Sequence, residues 1–280
     1  MRKIDVSIIT DAVDKLVYDA AITVRFDVLR ALENVRKNEK SFRARKALDV
    51  IIENTRIAGA KKIPICQDTG MTVVYCEIGR NVFFRGNIDK AINKGVELAT
   101  KRGYLRRSIV ADPIKRENTG TNVPAIIHYK WRNGDKVKLS VLLKGFGCEN
   151  KGQTVMLNPT ASVDDIESEV IRIINEAGAH ACPPYIIGVG LGGTMDKACE
   201  MSKEVLLDPI GRRNKDSEYA AIEKRLIKKA NQLKIGALGL GGNVTTVLDV
   251  KIKTYATHIA GLPLAVNVSC HALRSKAVLV

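Results

Sequence analysis

Aromatic side chains are scarce in this 280-residue sequence. Phe, Trp and Tyr together make up 5% of it, so a core must be built from Ile, Val, Leu and Ala. The same scarcity leaves few stacking platforms for single-stranded nucleic acid. Long apolar runs are also missing. The two longest charge-free stretches are 177–195, broken by Pro183-Pro184 and several glycines, and 258–273, which is too short to span a bilayer. Met1-Arg2-Lys3-Ile4-Asp5 lacks the apolar run of a signal peptide, so a cytoplasmic location and no membrane association are expected. There is no CxxC pair, which removes zinc ribbons and thioredoxin-like motifs. In a cytoplasmic chain the six cysteines, Cys66, Cys76, Cys148, Cys182, Cys199 and Cys270, are not expected to form a disulfide framework.

What is present in excess is positive charge. Forty-five Lys and Arg against 30 Asp and Glu give a formal net charge of +15. Such a balance suits a solvated basic surface or an anionic partner: nucleic acid, an acidic subunit or a dianionic substrate. The basic residues are scattered, with short runs such as Arg106-Arg107 and Arg212-Arg213, and no nucleic-acid motif accompanies them. No nucleic-acid partner is therefore expected. A salt-sensitive association with DNA or RNA would argue the other way.

The hydrophobic pattern predicts a mixed α/β chain. The first sixty residues read as helices, with Ile4, Ile8, Ile9, Ala12, Leu16 and Val17 at helical spacing. Residues 72–86 look like strands around Gly79, and Asn87 opens a helix that ends near Gly103. Ala125–Trp131 and Lys136–Leu143 are strand-like, and Asn133-Gly134 predicts a hairpin between them. Ser162 with Asp165 marks a capping box before a helix. Further on come a strand at Tyr185–Val189, helices at Thr194–Leu207 and Ser217–Leu233, and strands at Thr246–Tyr255 and Leu262–Ser269. No linker or low-complexity segment interrupts the chain, which is read as one domain.

Three cysteines sit in settings that suit chemistry. Cys66-Gln67-Asp68-Thr69-Gly70 is a polar turn between Ile63-Pro64-Ile65 and a strand, a poor place for a thiol that merely fills a core. Cys182 precedes Pro183-Pro184, which hold the loop stiff. Cys270 closes the strand ending Asn267-Val268-Ser269, with His258 twelve residues upstream and His271 beside it. Cys76 and Cys199, on predicted strand and helix faces, fit buried thiols instead. Three thiolates can hold an iron–sulfur cubane with one iron open, and an open iron is a Lewis acid for a hydroxyl leaving group. An electron-transfer protein would favour four cysteines and a saturated cluster. Gly188-Val189-Gly190-Leu191-Gly192-Gly193 superficially matches a dinucleotide fingerprint, read as a loop after a strand. Its place behind Pro-Pro is foreign to that motif, and helix-start amides there could instead hold a carboxylate.

Taken together, several segments resemble class I fumarate hydratases, in that family's order and over nearly the whole chain. They are Cys66–Gly70, Leu105-Arg106-Arg107-Ser108 through Asn122-Val123-Pro124, Lys144-Gly145-Phe146-Gly147-Cys148-Glu149-Asn150-Lys151, Cys182-Pro183-Pro184-Tyr185 with its glycines, and His258-Ile259-Ala260 through Cys270. The resemblance implies a [4Fe–4S] cluster with one open iron, held by Cys66, Cys182 and Cys270. It implies Asp68 as the catalytic acid/base candidate, and Gln67, Arg106, Gly147 (with Gly145 as the alternative) and His258 as contacts to a small dicarboxylate substrate. Phe146 and Cys148 depart from the family pattern, which has smaller or hydroxylic residues there. Single-chain members carry a further C-terminal domain. The expectation is therefore an α subunit of the two-subunit form, similar to L-tartrate dehydratase α, completed by a β subunit in a heteromer such as α2β2. The chain would be a single domain over 1–280, helical to about residue 60 and α/β and cluster-binding from about 61. The reaction implied is reversible hydration of fumarate to L-malate, with L-tartrate or another hydroxy-dicarboxylate as the alternative substrate.

Overall fold

The computed structural model describes residues 1–280. In chain order the elements begin with β1 (Arg2–Asp5), α1 (Val6–Ile22), α2 (Phe26–Asn38), α3 (Phe42–Lys61), β2 (Met71–Gly79), β3 (Val82–Arg85) and α4 (Ile88–Arg102). There follow β4 (Ile126–Arg132), β5 (Val137–Lys144), the single-turn α5 (Phe146–Glu149), β6 (Gln153–Leu157), α6 (Val163–Ala177), β7 (Tyr185–Gly192) and α7 (Met195–Glu204). The last are α8 (Ser217–Gln232), β8 (Val247–Tyr255), β9 (Leu262–Ser269) and β10 (Arg274–Leu279). The protein is thus of the α/β class, with mixed sheets backed by helices, and the region before residue 61 is helical apart from β1. No helix is long and apolar enough to cross a membrane.

The chain divides into two compact units. The first comprises Met1–Arg25, Asn54–Phe146 and Leu273–Val280, and the second Phe26–Glu53 and Gly147–Ala272. In the first unit a four-stranded sheet has the order β10-β5-β2-β4. Asn133-Gly134 does not close a hairpin, contrary to the reading of the sequence. β4 pairs with β2 in parallel and β5 pairs with β2 antiparallel, so β2 lies between them. Burial explains the order. β2 is buried on both faces, as a central strand must be, whereas β4 is exposed at Ile126, Tyr129 and Trp131 and suits an edge. The 133–136 connection instead crosses the end of β2. There Gly79 N–H donates to the Lys136 carbonyl (2.9 Å) and Asn81 N–H to that of Gly134 (3.0 Å). A Cβ on Gly79 would stand 2.5 Å from the Gly134 oxygen, so only glycine fits.

Ile9, Val13, Leu16 and Val17 of α1 and Ile92, Val96 and Ala99 of α4 pack over Val74, Cys76, Leu139 and Val141 of this sheet. The two helices come close at Gly95, where an added Cβ would meet the Thr10 carbonyl at 2.6 Å. At the other edge β10 runs antiparallel to β5, with Arg274 opposite Leu143. Neither β10 nor β6 stands out in the sequence, because both are short and mix polar with apolar residues.

The second unit holds a sheet of order β6-β9-β7-β8. β7 is buried along its whole length. Ile187, Val189 and Leu191 face a core shared with Val170, Ile173 and Ile174 of α6 and Ile222 and Leu226 of α8. The alternate residues Gly188 and Gly190 face α7, where added Cβ atoms would lie 1.9 Å from the Ser202 oxygen and 2.1 Å from that of Ala198. The glycine run is therefore strand rather than loop up to Gly192. Its glycines admit a helix backbone and form no phosphate cradle. The capping box at α6 is formed: Asp165 N–H donates to Ser162 Oγ (3.2 Å), and Ser162 N–H donates to Asp165 Oδ2 (2.8 Å).

Buried charges in this unit are all answered. Glu39, 2% exposed, accepts from the amides of Ser41 (2.8 Å), Asn243 (2.8 Å) and Val244 (3.1 Å). Burial works to raise its pKa, but these bonds prevail and hold it below the usual value. A Cβ on Gly242 would stand 2.9 Å from Glu39 Oε2, so the glycine-rich loop 239–243 closes around this internal carboxylate. Asp249 and Lys251 pair at 3.1 Å, Arg213 bridges Asp249 and Glu223, and Glu167 is held by Arg225 and Lys229.

Candidate functional site

The Cys66–Gly70 turn belongs to the first unit and is folded around Asp68. Asp68 Oδ1 accepts the Gly70 amide at 2.9 Å, a side-chain turn that Asp favours. Oδ2 accepts the Phe146 amide at 2.8 Å, tying the turn to the end of β5. Gly70 has φ +71°, and its added Cβ would stand 2.1 Å from the Lys144 oxygen, so the turn needs glycine twice over. Thr69 is buried, Cys66 half-buried, and Gln67 exposed. Gly145 lies against Asp68: a Cβ there would be 2.9 Å from Oδ2 and 3.3 Å from Nη2 of Arg274. Gly147, by contrast, has open space beside its Cα.

Arg106 is also carried by the first unit, on a segment shaped by Asn122. Asn122 is 1% exposed with φ +61°, a conformation asparagine tolerates. Its Oδ1 accepts the Ser108 amide (2.6 Å) and its Nδ2 donates to the Arg106 carbonyl (2.9 Å). Asn118 Nδ2 donates to the Arg107 carbonyl at 3.0 Å. The backbone is thus clamped while the guanidinium groups of Arg106 and Arg107 are exposed. The resembling segment ran through Asn122 without assigning it this clamping role, which only the fold displays.

Cys182 and Cys270 are brought together in the second unit. Cys182 is exposed, with a left-handed φ of +55° that costs a non-glycine residue roughly 1–2 kcal/mol. The turn is fixed by the Leu238 amide, which donates to the Pro183 carbonyl at 2.8 Å, and by His271 Nδ1, 3.0 Å from the Cys182 carbonyl. Cys270, half-buried, is the residue before His271 and follows directly on β9. Tyr185, at the start of β7, is fully buried and donates to the Gly178 carbonyl. Burial raises the pKa of its phenol first, and the nearby thiols of Cys148, Cys182 and Cys270 raise it further. His258 lies on the exposed connection between β8 and β9. Its Nδ1 accepts the Ala260 amide at 3.1 Å, so the proton of the neutral ring sits on Nε2.

The remaining cysteines differ. Cys76 is fully buried, and burial pushes its thiol pKa up to about 12, which keeps it protonated and a poor ligand. Cys148 is buried and donates to the Ala181 carbonyl at 3.4 Å. Cys199 is exposed on α7, its Sγ 3.0 Å from Thr154 Oγ1, and not the buried thiol its helical pattern suggested. No three His, Cys, Asp or Glu side chains are gathered at one point as a metal site. Of the three thiols expected as ligands, Cys182 and Cys270 belong to the second unit, where His271 next to Cys270 lies 3.0 Å from the Cys182 carbonyl, and Cys66 belongs to the first. As a donor set, three accessible or half-accessible thiols suit iron–sulfur ligation.

Sequence comparison extends this picture. The model of the fumarate hydratase (Fumerase) family matches residues 10–279. A Methanocaldococcus jannaschii protein named as a candidate L(+)-tartrate dehydratase subunit alpha is 40% identical over 273 residues, covering 95% of each chain. Proteins named L(+)-tartrate dehydratase subunit alpha from Escherichia coli and Shigella boydii are 30% identical over 268 residues, covering 94% of this chain and 88% of theirs. These matches point to a hydro-lyase. The chain belongs to the fumarate hydratase family.

Proposed function

We propose that this chain is the cytoplasmic α subunit of an iron–sulfur hydro-lyase that interconverts fumarate and L-malate, working with a separate β subunit in an assembly such as α2β2. The observation that carries the reading is the family match over 10–279, joined to a thiol turn whose carboxylate, Asp68, is fixed by two backbone amides. The β partner is supported by relatives of nearly equal length that are named as α subunits. Those same names favour a second reading, dehydration of L-tartrate.

Cys66, Cys182 and Cys270 would hold a [4Fe–4S] cluster. Such a cluster with one open iron supplies a Lewis acid toward the substrate hydroxyl. The chain's own residues do the rest. Asp68, tethered through Oδ1 and Oδ2, keeps its carboxylate in one place to accept or return a proton, or to orient the hydroxyl. Arg106, with its backbone clamped and its guanidinium exposed, offers a two-pronged fork to a carboxylate. Gln67 and the Nε2–H of His258 are exposed donors for the other oxygens. Gly147 leaves room at its Cα for close approach.

The test is anaerobic reconstitution of the α chain with iron and sulfide, alone and with its β subunit, followed by assays on L-malate and L-tartrate. Cluster formation with malate turnover only in the pair is expected. Preferential turnover of tartrate would move the reading to the second substrate. A pair that binds no iron, or a cluster-loaded pair that dehydrates neither acid, would overturn it.

A further inference from the structure

Arg106, Arg107 and Ser108 are exposed in a row, between the buried side chains of Leu105 and Ile109. The two buried residues also anchor the backbone at both ends. The Leu105 amide donates to the carbonyl of Thr100, in the last turn of α4 (3.0 Å), and the Ile109 carbonyl accepts from the Thr119 amide (2.9 Å). The polar backbone groups between them could have been left to water. Instead a single side chain takes two of them. Asn122 is 1% exposed and uses both ends of its amide. Oδ1 accepts the Ser108 N–H at 2.6 Å, and Nδ2 donates to the Arg106 carbonyl at 2.9 Å and to Thr100 Oγ1 at 3.4 Å. Thr100 is itself buried, so the Arg106 backbone is tied through Asn122 to the end of a packed helix. The position accepts few residues. Its φ of +61° is left-handed, which among side-chain-bearing residues suits Asn and Asp, and of those two only Asn offers both an acceptor and a donor when Asp is ionised.

We propose that Asn122 is a positioning residue for substrate binding: it fixes the backbone from which Arg106 grips a carboxylate of the substrate. The proposal rests on the hydro-lyase reading above and deepens it. A guanidinium meets a carboxylate through two parallel hydrogen bonds in one plane, so a shift of the arginine backbone is carried to the fork. The Arg106 side chain is exposed and nothing listed along it replaces that control, whereas its carbonyl is held. Asn118 gives a weaker hold from the exposed side, through its bond to the Arg107 carbonyl.

The experiment uses the complete chain with its β subunit. Calorimetry measures the affinity for succinate, an unreactive dicarboxylate, and steady-state kinetics on L-malate gives KM and kcat. Asn122→Gly keeps the left-handed backbone and removes the three side-chain bonds. Arg106→Ala should weaken succinate roughly 10- to 100-fold, the scale of hydrogen bonds to a charged group. Asn122→Gly should weaken it roughly fivefold or more through misplacement of the fork. It should raise KM for malate by a similar factor and change kcat by less than about threefold, as expected for binding lost equally from ground and transition states. A merely structural role would lower the active fraction, and so kcat and the calorimetric stoichiometry, without moving the affinity. The decisive comparison is the double variant. If Asn122 acts through Arg106, Asn122→Gly adds nothing to Arg106→Ala. Independent, additive losses would overturn the proposal, and so would unchanged succinate affinity in Asn122→Gly. Should the Gly variant not fold, Asn122→Asp takes its place in the same cycle: it tolerates the backbone and accepts from Ser108, but as a carboxylate offers Arg106 no donor. Wild-type affinity in Arg106→Ala would remove Arg106 and this proposal with it, leaving the hydro-lyase reading in place. That reading falls if the wild-type pair binds neither succinate, malate nor tartrate.

Discussion

The two units are built alike, each a four-stranded mixed sheet backed by helices, but the second holds the larger set of buried charges. In the second, Glu39, Glu167, Asp249 and Lys251 are each buried and each bonded. In the first, the buried cations are Lys144 and Arg274, and the Arg274 guanidinium lies beside Gly145 with the Asp68 carboxylate. Fully satisfied buried polar networks rigidify a core and specify one packing. Glycines serve close approach in both units: Gly188 and Gly190 admit the α7 backbone against β7, and Gly145 lets the chain pass close to the Asp68 carboxylate, where a Cβ would stand 2.9 Å from Oδ2.

The comparison breaks first at the thiols. Cys66→Ala, Cys182→Ala and Cys270→Ala should each lose most of the iron taken up on anaerobic reconstitution, while Cys76→Ala and Cys148→Ala retain it. Iron and sulfide counts per chain decide, and a full complement in Cys182→Ala would remove it as a ligand.

Next in size is Asp68→Asn. The amide oxygen can still accept one backbone N–H, so the turn and the iron content should survive, while kcat of the α–β pair falls at least ~10²-fold. His258→Asn, from an exposed loop, should mainly raise KM. Near-normal kcat in Asp68→Asn with full iron would make Asp68 a loop-ordering residue only.

Gly188→Ala tests the packing role. With a backbone oxygen 1.9 Å from the new methyl, α7 must shift, at a cost of about 3 kcal/mol. Gly147→Ala, with open space around it, should be close to neutral in stability. Chemical denaturation of the two variants gives the contrast, and equal midpoints would refute it.

Glu39→Gln should cost about 1.5–3 kcal/mol at pH 7, the range for hydrogen bonds to a charged group. Because the folded-state pKa of Glu39 lies below its unfolded value, its contribution is complete above the ordinary carboxylate range. It is lost as pH falls through the lowered folded value. The stability gap between wild type and Glu39→Gln should therefore close in acid, and a gap that widened there would contradict the assignment. Smallest of all, Cys199→Ser on the exposed face of α7 should change stability by less than about 0.5 kcal/mol.

Much of the second unit was legible in the sequence. Helical spacing in α6 and α8, the Ser162–Asp165 capping box and the apolar run of β9 are local signals, and each formed as read, while β7 runs three residues beyond its expected end at Val189. The first unit was less legible. Asn133-Gly134 is a strong local turn signal, yet its flanking strands do not pair, because the doubly buried β2 claims the place between them. The glycine run of β7 looked like a loop because a strand that packs against a helix backbone loses its side chains on that face.

By itself the sequence determined the class of the fold, the cysteine-bearing turns and the family to which the chain belongs, because these depend on residue types close together along the chain. The tertiary structure alone decided the strand order of the first sheet and the clamping of the Arg106 segment by Asn122. It also decided which glycine faces Asp68, and which of many arginines is buried near that carboxylate. These follow from which side chains lose water together, and residues as far apart in sequence as Asp68 and Arg274 meet only when the sheet that carries them has closed.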